Sequence, residues 1–390
     1  MTPRDCDAYP DLRAGRYPGG EGVNDPACGG VATYPEAIVT LQRDGRDVGA
    51  ALAAWIEAAA DTGGRLARLL PAADVLLRQG TRDPGLARLR EAMALGRAEG
   101  RFDLLPDQPQ ALARLCAQAL EADIEPCYVR RLIAGNKLGP PSPNLSRWPY
   151  PVRIQTLGGW AVEVRGQPLR FSGKARRRPL FLLHSLLARG GRPVPVALLR
   201  KAMGDDGEGD GPCSRGAFDM ALSRLRQLLS LPGLLRLEDG LLALDEERCW
   251  VDAWACERLL GLADAHPECG RGLLERTLRL YEGEFLAGQE SAWVVLARER
   301  LRARLLRVAR RVGEDLEARG RWAEAGELYE RLREGFPLDE DLCLHLIRSH
   351  VRREQYAQAS GVYARCRELL ARVLGVLPNP AIRVLLEPAS

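Results

Sequence analysis

The sequence predicts a mainly α-helical protein with a small β component, in which a winged helix-turn-helix precedes a tetratricopeptide-like α-helical domain. Three observations carry this prediction. Helical periodicity fills residues 38–138 and 251–390, a period of two appears at residues 152–164, and a 34-residue repeat occurs near the C-terminus. The 390 residues are 46% hydrophobic and 28% charged, which is enough apolar material for several buried cores.

The first 150 residues divide into three segments by composition. Residues 1–37 are rich in Gly and Pro and show no periodicity, which predicts a disordered tail. Residues 38–138 predict a helical arm with helices at 48–60, 87–98, 109–122 and 126–134. Residues 139–150 begin with the sequence GPPSPN and predict a Pro-rich linker to the next domain.

Residues 151–250 predict the winged helix DNA-binding domain. Alternating residues at 152–157 and 160–164, followed by 169–171, form a predicted antiparallel meander. Three helices are expected at 179–189, 196–203 and 214–229, the last with Ser214 as its N-cap. Asp239-Gly240 then lies between two apolar runs, which is a strong signal for a two-residue hairpin.

The third helix of this domain carries the predicted recognition surface. Its stripe of Phe218, Leu222, Leu225 and Leu229 should be buried, which leaves a polar face with Asp219 among the basic residues. A winged helix presents such a face to the major groove, where arginines bind guanine edges or phosphates. The same face is also compatible with an ordinary solvated helix. Its predicted DNA contacts are Arg215, Ser223, Arg224 and Arg226, joined by a basic cluster of Lys174, Arg176, Arg177 and Arg178.

The charge balance supports a local basic surface. The whole chain has a net charge of +4, whereas residues 151–250 hold 16 basic and 11 acidic side chains, a net charge of +5. The predicted wing tip, Glu238-Asp239-Gly240, is acidic, so we expect the wing to make few DNA contacts, with Arg236 as its one candidate. The acidic loop at 205–211 should point away from the phosphates because like charges repel.

Residues 251–390 predict a run of helices with an internal repeat. The sequence WAEAGELY at 322–329 aligns with YAQASGVY at 356–363 at an offset of 34 residues, which is the tetratricopeptide period. Trp322 and Tyr356 occupy equivalent positions, and we expect each to fill the gap between stacked helix pairs.

No catalytic arrangement is predicted. The sequence has no phosphate-binding loop of the type GxxxxGK[ST], no HExxH and no GxSxG, and its ten cysteines form no CxxC pair. His184 should be a core residue, and Cys343, His345 and His350 should point in different directions from one helix, so no metal ion and no cofactor is expected. No apolar run resembles a signal peptide or a membrane span, which predicts a cytoplasmic protein with no membrane partner.

Several motifs resemble a known family. They are SRLRQLL at 223–229, YEGEFL at 281–286, Trp293 with residues 298–301, GRWAEA at 320–325, PLDE at 337–340, YARC at 363–366 and LGV at 374–376. Residues 152–386 resemble the SARP-like regulators of bacteria, which join an OmpR/PhoB-type winged helix to a bacterial transcriptional activator domain. The resemblance implies binding to direct repeats in promoter DNA, activation of transcription and self-association as a homodimer on DNA. It also implies that RNA polymerase contacts the loop of Asp205, Asp206, Glu208 and Asp210.

The segment before this region shows a second resemblance. Residues 123–133 and 148–151 are similar to the join in large MalT-like ATP-dependent regulators, where an ATPase and helical repeats precede the same two domains. No ATPase motif occurs in this sequence, so nucleotide-driven switching is not expected.

The sequence therefore predicts a DNA-binding regulator of transcription that acts as an activator and is not an enzyme. The alternative, from a different class of protein, is a helical-repeat adaptor whose winged helix makes only protein contacts, since folds of this type also serve without DNA.

Overall fold

A computed structural model describes residues 48–143, 145–170, 177–190, 192–204 and 213–386. Within them lie fifteen α-helices, one short 3-10 helix at Pro267–Cys269 and seven short strands, so the predicted fold class, mainly α with a small β component, is confirmed. The predicted disordered tail, residues 1–37, lies outside the described residues. None of the helices in the described segments combines the length and apolar character of a membrane span.

The arm consists of five helices that enclose their own apolar core. They are α1 (Val48–Glu57), α2 (Thr62–Arg78), α3 (Arg82–Ala98), α4 (Pro109–Glu121) and α5 (Pro126–Gly135). Helix α2 was not predicted, because Gly63-Gly64 near its start and Pro71 at its centre are typical of helix breaks. Asp61 caps this helix by accepting a hydrogen bond from the backbone of Gly64 at 2.6 Å, and the Pro71 ring is buried.

The segment predicted as a linker packs against the arm. Leu145, Trp148 and Tyr150 are buried in the core of the arm, and the Leu145 N–H donates a hydrogen bond to the Tyr150 hydroxyl at 3.1 Å. Trp250, at the end of the winged helix, and Ala255, which follows it, join the same core. The apolar side chains that follow the prolines therefore hold the arm against the rest of the molecule instead of spanning solvent.

The winged helix contains two small sheets. The first has the order β3-β2-β1-β7 and consists of β1 (Val152–Gln155), β2 (Ala161–Val164), β3 (Gln167–Pro168) and β7 (Cys249–Val251). Strand β7, which was not predicted, pairs with β1 in parallel. Three helices follow the meander: α6 (Arg177–Ala188), α7 (Val196–Gly204) and α8 (Arg215–Leu229). The second sheet forms the wing and consists of β4 (Val194–Pro195), β5 (Leu235–Glu238) and β6 (Leu241–Leu244), in the order β4-β6-β5.

The remaining helices stack in pairs. They are α9 (Asp252–Ala265), α10 (Gly270–Leu280), α11 (Ala292–Ala318), α12 (Trp322–Gly335), α13 (Glu340–Arg352), α14 (Tyr356–Leu374) and α15 (Pro380–Val384). The repeat detected in the sequence falls at equivalent places, because α12 and α14 begin at Trp322 and Tyr356. Tyr329 lies in the middle of the stack, is fully buried against Gly313 and donates a hydrogen bond to Glu317 at 2.9 Å.

One expectation about the repeat is wrong. Tyr356 is 56% exposed, so its side chain does not fill a gap between helix pairs, whereas Trp322 is half-buried and has the Arg352 guanidinium 5.6 Å from its ring. Tyr356 begins the last long helix of the described chain, and only the short helix α15 follows it. Among the described residues, no further helix pair covers this position.

Candidate nucleic-acid interface

Helix α8 is fixed in the winged helix by the predicted apolar stripe. Phe218, Leu222, Leu225 and Leu229 are each at most 3% exposed, and they pack in one core with α6. The Ser214 hydroxyl caps the helix by accepting a hydrogen bond from the backbone of Ala217 at 3.2 Å, as predicted. The opposite face of α8 is therefore held outward by packing on the inner face.

The outer face of α8 presents the predicted basic residues to solvent. Arg215, Ser223 and Arg224 are exposed, and none of the described residues forms an ion pair with either arginine. Arg215 and Ser223 are eight positions apart, which places both on one side of the helix. Asp219 lies between them on that side and is also exposed, so the face carries one negative charge among the arginines.

Arg226 has a structural role that was not predicted. Its side chain is exposed, and its guanidinium donates a hydrogen bond to the backbone carbonyl of Leu235 at 3.1 Å. Leu235 begins strand β5, so Arg226 connects helix α8 to the wing. A substitution there would change the position of the wing as well as the charge of the helix face.

Two of the four residues of the predicted basic cluster before helix α6 belong to the described residues. Arg177 and Arg178 begin helix α6 and are exposed, whereas Lys174 and Arg176 lie outside the described residues. The predicted polymerase-contact residues Asp205, Asp206, Glu208 and Asp210 also lie outside them. Within the described residues, the predicted basic surface therefore consists of side chains from α8 and from the start of α6.

The wing is a tight hairpin with an acidic tip. Asp239 and Gly240 both have positive φ angles, 51° and 75°, which is the geometry of the two-residue turn that this pair favours. Arg236, the one candidate for a DNA contact here, lies 3.4 Å from the Asp245 carboxylate and is 55% exposed. Part of its charge is therefore already balanced within the wing.

His184 is a core residue, as predicted. Its ring stands edge-on to Trp160 with 4.3 Å between centroids, and its Nε2 atom has no hydrogen-bond partner among the described residues. Burial lowers the pKa of His184 from 6.5 to about 4, because the charged form would lose its hydration. The imidazole is therefore neutral at physiological pH.

The winged helix is joined to the helices behind it through Asp252, the first residue of α9. Its buried carboxylate accepts hydrogen bonds from the backbone of Thr156 at 2.7 Å, Leu157 at 2.8 Å and Ala253 at 2.7 Å, and from the Thr156 hydroxyl at 2.5 Å. Burial raises the pKa of this carboxyl group, and the hydrogen bonds oppose that rise.

A second contact of this joint is made by two glycines. A Cβ atom on Gly283 would lie 2.7 Å from the Cα of Gly158, and a Cβ on Gly158 would lie 2.9 Å from the backbone of Glu282. Leu157 also pairs with Phe285 in an antiparallel bridge. The Arg298 guanidinium secures the same loop by donating to the carbonyls of Phe285, Leu286 and Gln289 at 3.1 Å each. Sequence reasoning did not predict this joint.

Comparisons with known proteins agree with this arrangement. Residues 251–387 match the family model described as the bacterial transcriptional activator domain. The chain contains this activator domain. Regulatory protein AfsR of Streptomyces coelicolor is 33% identical over 267 residues, which covers 63% of this chain and 26% of AfsR. Regulatory protein AfsR of Streptomyces griseus is 33% identical over 226 residues, which covers 56% of this chain and 22% of that protein.

These matches confirm the resemblance to SARP-like regulators, and the activator domain follows the winged helix directly. The chain spans about a quarter of the length of the AfsR proteins it matches. A solved structure, Mycobacterium tuberculosis EmbR in complex with low affinity phosphopeptide, aligns with a TM-score of 0.44 and 23% identity, over 61% of this chain and 64% of that chain. The resemblance of residues 123–133 and 148–151 to ATP-dependent regulators stays a prediction.

Proposed function

We propose that this protein is a transcriptional activator that binds double-stranded promoter DNA through helix α8. The observation that supports this proposal most strongly is the exposure of Arg215 and Arg224 on the third helix of a winged helix that leads directly into a bacterial transcriptional activator domain. Arg177 and Arg178, at the start of α6, add positive charge suited to the phosphate backbone. The acidic wing makes little contribution to binding, because Arg236 is paired with Asp245.

The test compares Arg224→Gln with Arg367→Gln, a control at an exposed position of α14. Duplexes selected from a random-sequence pool by the wild-type chain are titrated at two salt concentrations, beside an unselected duplex of equal length. We expect Arg224→Gln to weaken binding to the selected duplexes by about 1–3 kcal/mol if the residue reads a base, and to reduce the salt slope by about one if it contacts a phosphate.

The control variant should bind like the wild type. If Arg224→Gln retains both the affinity and the salt slope, α8 is not the DNA-binding element. If the wild type binds selected and unselected duplexes with equal, feeble affinity, the chain is instead an adaptor whose winged helix contacts protein.

Contact with RNA polymerase is proposed from the resemblance alone. Substituting Asp205, Asp206, Glu208 and Asp210 by Ser removes four negative charges and keeps the loop length. Affinity for promoter DNA should stay level or rise, while transcription in a purified system should fall. If transcription instead follows DNA occupancy in this variant, the loop does not contact the polymerase.

Homodimer formation on DNA is also proposed. The C-terminal end of α14 and the residues after it expose an apolar patch, defined by Val373, Leu374, Val376 and Leu377, of which Leu377 is 76% exposed. Contiguous exposed apolar surface of this kind is typical of a protein contact. Leu377→Asp should shift sedimentation of the DNA-bound chain from dimer to monomer, and an unchanged profile would exclude the patch from the dimer interface.

A further inference from the structure

We propose that Met220, at the centre of the outer face of helix α8, contacts the 5-methyl group of a thymine in the major groove and so helps to determine which DNA sequence the chain binds. This inference rests on the proposed DNA-binding function and deepens it by naming a base. The arginines of α8 supply positive charge, whereas the inference concerns the uncharged residues that lie between them.

A line of uncharged residues runs along the outer face of α8. Gly216, Met220, Ser223 and Gln227 follow one another at intervals of four, three and four residues, and all four are exposed. This spacing places them on one side of the helix. Gln227 and Met220 lie about 180° and about 200° around the helix axis from Phe218, the first residue of the buried stripe. The line is therefore the part of α8 that stands farthest from the core.

The charged residues of α8 lie on the two flanks of this line. Arg215, Asp219 and Arg226 are on one flank, and Arg224 is on the other. When a helix enters the major groove, its outermost line faces the base edges, while its flanks face the two sugar-phosphate backbones. The arginines are therefore placed to contact phosphates, and the uncharged line is placed to contact bases.

Met220 is the apolar member of this line. Its side chain is 57% exposed, and no other large apolar side chain of α8, which the structure describes over its whole length, is exposed. Thymine is the base that presents a methyl group in the major groove, and an apolar side chain recognises it by removing that methyl from water. Ser223 and Gln227 beside Met220 carry the donors and acceptors that base edges require.

Gly216 provides a second observation that points to a ligand. It lies in the first turn of α8, and a Cβ atom there would meet no atom of the described residues within 4 Å. Packing among the described residues therefore does not require glycine, although glycine loses more backbone entropy in a helix than alanine does. Glycine does suit a place where the backbone must come close to a ligand.

The position of Gly216 relative to Met220 explains what this space is for. Helical side chains lean toward the N-terminus of the helix, so the Met220 side chain extends over the residue four positions before it, which is Gly216. Because Gly216 has no side chain, the apolar surface of Met220 is open on that side. A thymine methyl group fits into the space that a side chain at position 216 would occupy.

The experiment uses the full chain and the duplexes selected by the wild type from the random-sequence pool. Each thymine of a selected duplex is replaced, one at a time, by deoxyuridine, which removes the 5-methyl group and keeps the base pair. We expect the replacement of at least one thymine to weaken binding of the wild type by about fourfold, which corresponds to the loss of one buried methyl group.

Variants of Met220 assign this effect to one side chain. Met220→Gln replaces the thioether by a polar group of similar length and keeps a high helix propensity, so α8 should fold normally. It should bind the thymine and deoxyuridine duplexes equally, whereas Met220→Leu should still discriminate between them. The matched control is Leu296→Gln, which makes the same kind of change at a 68% exposed position of α11 and should discriminate like the wild type.

Gly216→Ala tests the space beside Met220. The melting temperature should stay level or rise, because alanine favours the helix and its Cβ meets nothing among the described residues. Affinity for the selected duplexes should nevertheless fall by about tenfold, because the added methyl group takes the place of the thymine methyl. A position with only a structural role would not combine unchanged stability with weaker DNA binding.

The possible failures are distinguishable. If the wild type binds every deoxyuridine duplex as it binds the unmodified one, or if Met220→Gln still discriminates, the contact between Met220 and thymine is refuted while DNA binding by α8 stands. Equal loss of discrimination in Leu296→Gln would also refute it, and wild-type affinity of Gly216→Ala would refute the role of the open space. If the wild type does not prefer selected over unselected duplexes, both the DNA-binding function and this inference fall.

Discussion

Replacing Asp252 by Asn tests the joint between the winged helix and the activator domain. The substitution keeps the shape of the side chain and removes its charge. In the wild type, one carboxylate oxygen accepts from the Thr156 hydroxyl and the Ala253 N–H, the other accepts from the Leu157 N–H, and both lie within 2.9 Å of the Thr156 nitrogen. In either orientation, the amide of Asn places an NH₂ group against N–H donors.

Two opposing effects decide how much Asp252→Asn changes the free energy of unfolding. Asn avoids the cost of burying a charge, which is the cost that raises the pKa of Asp252. It also leaves one or two buried N–H groups without an acceptor, and each such group costs about 1–3 kcal/mol. Because four donors already solvate the carboxylate, the second effect should dominate. We expect Asp252→Asn to lower the free energy of unfolding by about 2–4 kcal/mol.

The assay is urea unfolding at neutral pH, followed by circular dichroism and tryptophan fluorescence. Thr156→Val provides a graded comparison, since it removes only the hydroxyl donor and should cost about 1 kcal/mol. If circular dichroism and fluorescence give different transitions, the winged helix and the helical domain unfold separately. In that case Asp252→Asn should lower the stability measured in both transitions. An Asp252→Asn variant as stable as the wild type would refute the reasoning that the carboxylate holds the joint.

Three further predictions concern buried positions. Gly283→Ala should cost about 1–3 kcal/mol of stability because its Cβ would meet the backbone, whereas Gly159→Ala, with open space around it, should unfold like the wild type in urea. His184 remains neutral in the folded state down to about pH 4 but titrates near 6.5 when unfolded, so stability should fall by about 2 kcal/mol between pH 7 and pH 5. A His184→Phe variant should lose that part of the pH dependence in thermal unfolding, and an unchanged slope would place the dependence elsewhere. Tyr329→Ala should cost about 3–5 kcal/mol and Tyr356→Ala less than about 1 kcal/mol in the same urea assay, and equal losses would contradict the observed burial.

Features set by neighbours in the sequence were predicted well. The buried stripe of α8 and its Ser214 cap follow from a period of 3.6 residues and from local hydrogen bonding, and both are confirmed. The Asp239-Gly240 turn follows from the backbone angles that these two residues tolerate. These properties need no knowledge of what packs against the element.

Features set by distant residues were not predicted. Asp252 is 96 residues from Thr156, and Gly283 contacts Gly158 across 125 positions, so no local pattern relates them. Helix α2 was missed because Pro71 at its centre is typical of a helix break. Packing of the buried side chains of this helix overrides that local tendency. The exposure of Tyr356 depends on which side chains pack against α14, and a repeat pattern alone does not determine this.

The joint limits how a change elsewhere in the chain could move the outer face of helix α8. Rotation of the winged helix against the activator domain would require the hydrogen bonds of Asp252 to break and the backbones of Gly158 and Gly283 to separate. The arm is connected differently, because its contact with the activator domain includes a cleft lined by arginines as well as a shared apolar core. The arm also contacts the winged helix directly, because Trp250 of strand β7 is buried in the core of the arm. We therefore expect a change in the packing of the arm to act on its contacts with both domains, and not by rotating the winged helix against the activator domain.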